Sequence, residues 1–89
     1  MPQAVVDPEE LREFARSLKK FNNELRERSR SLGNQLTSLG GTWRDQEHVK
    51  FVQQFEEGMR VIARFLENND RHVPYLMRKA EAIDEYLRS

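Results

Sequence analysis

The residues best placed to do chemistry are Asp45, Glu47 and His48, metal-capable and proton-transferring side chains close together in the chain. On a helix Asp45 and His48, three positions apart, share a face and could begin a divalent-metal site or an acid–base pair. Such a site needs further ligands and supporting contacts, and the neighbouring sequence supplies none. Asp45 reads better as a helix cap than as a ligand. His72, beside Val73-Pro74, reads as an exposed histidine. The chain has no Cys, which removes disulfides and thiolate ligands. Its glycines are Gly33, Gly40, Gly41 and Gly58, in no phosphate-cradling spacing. Neither a Ser, His and Asp arrangement nor a paired-carboxylate pocket can be assembled. The pattern points to a protein that is not an enzyme, takes no cofactor and acts through its surfaces.

Charge narrows the partners. Lys plus Arg and Asp plus Glu are equal at 15 each, so no global field draws the chain to nucleic acid or to an anionic membrane. Residues 12 to 30 hold a local excess, with seven basic and three acidic side chains. Nucleic-acid binding through Arg12, Arg16, Lys19, Lys20, Arg26 and Arg30 would be the reading of that excess taken alone. Opposite charges at helical spacing, Glu13 with Arg16 and Glu24 with Arg28, read instead as a solvated helix face laced with weak ion pairs. No run approaches the roughly 18 apolar residues of a membrane span, and Met1 to Asp7 lacks the features of a signal peptide. The expectation is a cytoplasmic protein without nucleic-acid binding or membrane insertion; export by a route that needs no signal peptide stays open.

These surfaces must be carried by one domain, residues 1–89, small enough that a second copy or a partner would help to cover its apolar side chains. Residues 1 to 6 read as a loosely docked arm. Asp7-Pro8-Glu9-Glu10 is a helix start: Asp7 caps, Pro8 suits the first position, and the glutamates favour the positive end of the dipole. Leu11, Phe14, Leu18, Phe21, Leu25, Leu32 and Leu39 then form a heptad seam with polar gaps at Arg28 and Gln35. The first helix is predicted over 7–39. Gly40 and Gly41 are expected to end it with positive φ, over a bend at 40–42, and Thr42 with Asp45 to box the start of the next helix.

The second helix is predicted over 43–87. Its seam is Val52, Phe55, Met59, Ile62, Leu66, Val73, Leu76, Ala80, Ile83 and Leu87, with Asn69 in the polar slot. Pro74 interrupts the hydrogen bonding but not the apolar phase, so the run is either one helix kinked at Pro74 or two. The fold class is all-α, an antiparallel helical hairpin.

Flanking residues bear on assembly. Phe51 and Phe65 widen the second stripe around Gly58, and Ala15, Ser17, Ser29, Ser31 and Ser38 leave room for another helix beside the first. At 1.5 Å per residue the helices would be about 48 Å and about 67 Å long. If both start level at the bend, Leu76, Ala80, Ile83 and Leu87 overhang the first helix and stay wet. Dimerisation into an elongated four-helix bundle would cover them. Trp43, Phe51, Phe55, Phe65, Leu76, Ile83 and Leu87 are the expected partner-binding residues.

Leu39-Gly40-Gly41-Thr42-Trp43, followed by Phe51 and Phe55, resembles the bend and second-helix start of the Trp-X-Gly (WXG) family, small secreted-antigen-like hairpins of type VII (ESX) secretion. The resemblance runs from Asp7 to Leu87. It implies a homodimer or a dimer with a related small helical protein, export without a signal peptide, and a secretion ATPase as a further partner. This chain reads Trp-Arg-Asp where the family reads Trp-X-Gly, with Asp45 in the glycine position. The family's export signal, a Tyr with an acidic residue four positions on, finds Lys79 after Tyr75 and no residue at that distance after Tyr86. An intracellular helical adaptor or chaperone that is not exported is the alternative.

Overall fold

A computed structural model describes residues 6–88. The expected N-terminal arm lies outside the described residues except for Val6, which is exposed. Two helices, α1 (Pro8–Leu39) and α2 (Gln46–Arg88), pack antiparallel into a rod with extents of 66 × 23 × 15 Å.

The start of α1 follows from its first residues. The Asp7 carboxylate accepts from Glu9 N at 2.9 Å, Pro8 opens the helix, and Glu9 and Glu10 occupy the first turn. Its end differs from expectation. Gly40 has φ −59° and ψ −17°, and no described residue has positive φ. Tight bonds close the last turn instead, with Gly40 N donating to Thr37 O at 3.1 Å and Gly41 N to Ser38 O at 3.1 Å. These satisfy the free carbonyls without a left-handed residue. Gly40 serves close approach: a Cβ there would lie 3.2 Å from Thr37 O and 3.5 Å from His48 Cε1.

The bend is longer than the expected 40–42. Residues 40–45 form it, and Trp43, expected inside the second helix, lies before that helix begins at Gln46. The expected Thr42–Asp45 box is replaced by two separate contacts. Asp45 Oδ1 accepts from His48 N at 3.1 Å, so Asp45 caps α2, while Thr42 Oγ1 donates to Leu39 O at 3.3 Å. Beyond the cap α2 runs unbroken through Pro74. Pro74 has no N–H for the carbonyl of Asp70, but the apolar phase on both sides holds the helix against α1.

The α2 seam lies where it was expected. Leu66 and Ala80 are buried, and Val52, Phe55, Met59, Ile62, Asn69, Val73, Leu76 and Ile83 are half-buried. On α1 the seam divides. A strict seven-residue stripe drifts about 20° per repeat around a straight helix. Leu11, Leu18 and Leu25 face α2 accordingly, whereas Leu32 and Leu39 have rotated into the open. The inner line steps through Ala15, Asn22, Ser29 and Leu36, the first two fully buried. Ala15 and Ser29, expected to admit a partner's helix, therefore admit α2.

The expected C-terminal overhang is absent. Arg12, in the second turn of α1, forms an ion pair with Asp84, which brings the start of α1 level with the last turns of α2. Ala80 is fully buried, Leu76 and Ile83 are half-buried, and Leu87 alone of that group is exposed. The surplus length of α2 lies at the other end, where its first turns pass the end of α1 and carry Phe51 against Trp43.

Candidate partner-binding surface

The surface is built from the residues that α1 leaves uncovered. Phe14, Phe21, Leu32 and Leu39 retain 57%, 47%, 50% and 46% of their exposure, far more than a core side chain of either type. They step by 7, 11 and 7 residues, each close to a whole number of helical turns, and so form one straight stripe. Phe51 and Phe65 of α2 join the same face. The Phe65 ring meets Phe21 edge-on with centroids 6.3 Å apart, and Phe51 and Phe55 line a shallow depression with Leu32, Gln35, Leu36 and Leu39. An exposed apolar face of this length is the kind of surface on which a partner docks.

Trp43 closes the face at the bend. Its indole packs on His48 with ring centroids 4.9 Å apart and on Phe51 at 6.0 Å, and Phe51 continues to Phe55 at 6.2 Å. The ring is half-buried. His48, weighed as a ligand in the sequence, sits between Trp43 and Gly40, and its Nε2 is buried without a hydrogen-bond partner. Among the described residues no group of three or more His, Cys, Asp or Glu side chains is arranged to hold a metal.

Polar contacts where α1 meets α2 fix the register of the hairpin. Asn22 Nδ2 donates to Asp70 Oδ1 at 3.0 Å, Asn69 Nδ2 donates to Asn22 Oδ1 at 3.0 Å, and Arg26 pairs with the same Asp70. Sequence periodicity marked Asn69 as the polar slot of α2 and passed over Asn22, whose signal was its spacing of seven from Ala15 and from Ser29. Arg12 is shared between Asp84 and Glu81 of α2 and Glu9 of α1. Its hydrogen bond to Asp84, ahead of the neighbouring negative charges, raises its pKa. The shift adds nothing at ordinary pH, where an arginine is charged in any setting.

These pairings also answer the basic segment. Arg12 and Arg26 are committed to acids of α2, and Arg16 reaches back to Glu9 at 3.5 Å and not to Glu13. The expected Glu24–Arg28 pair is also absent, and both side chains stand exposed without an ion pair among the described residues.

A bend tryptophan, an apolar face and two antiparallel helices define a recognisable type of molecule. The sequence model of the WXG100 family, proteins of 100 residues with WXG, matches residues 3–86. This chain belongs to the WXG100 family. As a WXG100 protein it is a small type VII secretion-associated helical protein. No curated protein and no solved structure matches it. The glycine of the WXG motif is replaced here by Asp45, which the fold uses to cap α2. No described helix is long and apolar enough to cross a membrane.

Proposed function

We propose that this chain is a non-enzymatic substrate or carrier component of a type VII-like secretion system and works as a homodimer of hairpins, an elongated four-helix bundle. The apolar face along Phe14, Phe21, Leu32 and Leu39 carries the proposal, since a lone hairpin leaves it in water. Fully burying a large aliphatic or aromatic side chain gains about 1.5–3 kcal/mol. Half of that for each residue of the face already approaches the stability of a small domain. Phe51 and Phe65 extend the dimer contact, with Phe55, Leu76, Ile83 and Leu87 at its edges. Trp43 presents a composite end-surface to a neighbouring copy or to the secretion ATPase.

Export is tested by following the chain in culture medium from cells with and without the secretion ATPase, for the native protein and for Trp43→Ala. The proposal expects ATPase-dependent export that Trp43→Ala abolishes while the dimer persists. Retention of the native chain in cells with an active system contradicts it. The absence of an acid four positions after Tyr75, where Lys79 stands, favours a second reading: a dimeric adaptor or chaperone that stays inside the cell.

A further inference from the structure

The spacing of the exposed stripe on α1 is the same in both directions. Phe14 and Leu39 lie equally far from a point between Arg26 and Glu27, and so do Phe21 and Leu32. A two-fold axis through that point sets each Phe of one copy against a Leu of the other. That is the self-complementarity an isologous contact requires. A related hairpin could carry any spacing on its own surface, but a second copy must match its own stripe, and this stripe does.

Charge adds an independent observation. Arg28 stands in the stripe beside the proposed axis, one turn from Glu24, and neither makes an ion pair among the described residues. With the axis between residues 26 and 27, Arg28 of one copy falls level with Leu25 of the other, and Glu24 of that copy lies one residue further along. Two equivalent Arg28–Glu24 pairs would therefore bracket the axis. Each would satisfy an arginine that otherwise interrupts an apolar face.

Size is consistent as well. The stripe from Phe14 to Leu39 is about 38 Å long at 1.5 Å per residue. The hairpin is 23 Å wide. The product, about 870 Å² on each copy, reaches the roughly 800 Å² per partner typical of stable interfaces.

We infer the register in which the two copies of the proposed homodimer meet: an axis between Arg26 and Glu27, with Arg28 of each copy paired to Glu24 of the other. This rests on the homodimer reading above and adds its register. Glu24 sits on one flank of the stripe, and Ser17 and Ser38 occupy the same flank. In this register Ser17 of one copy lies within about 3 Å of Ser38 of the other along the axis, whereas two Ser17 residues are about 29 Å apart and two Ser38 residues about 35 Å.

The chain has no native Cys. Ser17→Cys and a tagged Ser38→Cys can therefore be mixed and treated with a short bismaleimide, with the mass of each sample measured in parallel. The expected result is a cross-link between unlike variants and none between like ones. Dimeric mass without the mixed cross-link overturns the register and leaves the homodimer standing; monomeric mass of the native chain overturns both. Arg28→Glu and Glu24→Arg should each weaken the dimer roughly tenfold, and the two combined should restore it. Loss of that restoration contradicts the pairing even where the cross-link forms.

Discussion

Asn22→Ala isolates the device that holds the hairpin in register. Asn22 is fully buried, donates to the Asp70 carboxylate and accepts from Asn69. A hydrogen bond to a charged group contributes about 1.5–3 kcal/mol and a neutral one about 0.5–1.5 kcal/mol. Asp70 keeps Arg26 after the substitution and is partly open to water, which places the loss near the lower end of the sum, about 2–3 kcal/mol. For a domain of this size that lowers Tm by roughly 10–20 °C. Asn23, the next residue, is exposed, and Asn23→Ala should stay within about 0.5 kcal/mol of the native chain. Urea and thermal unfolding of the three proteins, at one protein concentration so that dimerisation is held constant, supply the comparison. A double-mutant cycle with Asn69→Ala should show about 0.5 kcal/mol or more of coupling. Equal stability of Asn22→Ala and Asn23→Ala would refute the reasoning.

Substitutions at three further positions test local features by thermal unfolding. Asp45→Ala should cost about 1 kcal/mol through loss of the α2 cap, and Asp45→Gly, which recreates Trp-X-Gly, only a few tenths; equal losses would show that the carboxylate is no cap. Gly33→Ala should stabilise by about 0.5–1 kcal/mol, because a Cβ at Gly33 meets nothing within 4 Å and alanine is the better helix former; a destabilised variant would contradict the open space beside it. Pro74→Ala returns an N–H to the Asp70 carbonyl and should raise stability by about 1–3 kcal/mol; an unchanged or lowered Tm would contradict a cost of the proline.

Much of this fold was legible because it is governed by local periodicity. The α2 seam from Val52 to Ile83 repeats by 3 and 4 and needed no tertiary information, and the cap–proline–acid start of α1 is a local signal. Features that depend on two helices meeting were less legible. The heptad of α1 does not state that a straight helix will rotate Leu32 and Leu39 out of the contact and Asn22 into it. Helix lengths alone do not reveal which end of the hairpin holds the surplus of α2. That depends on a six-residue bend and on Arg12 reaching Asp84. For the surface, Phe51 and Phe65 stand out in the sequence, but the heptad spacing places Phe14 and Phe21 in the core. Only the orientation of α1 shows that they face outward.

The central claim is that the Phe14–Leu39 face is covered by a second copy. Light scattering across a concentration series tests it most directly. The expected mass is twice the 10.6 kDa of the chain, falling to the monomer value for Phe21→Asp with helix content preserved. A constant 10.6 kDa for the native chain at every concentration would contradict it.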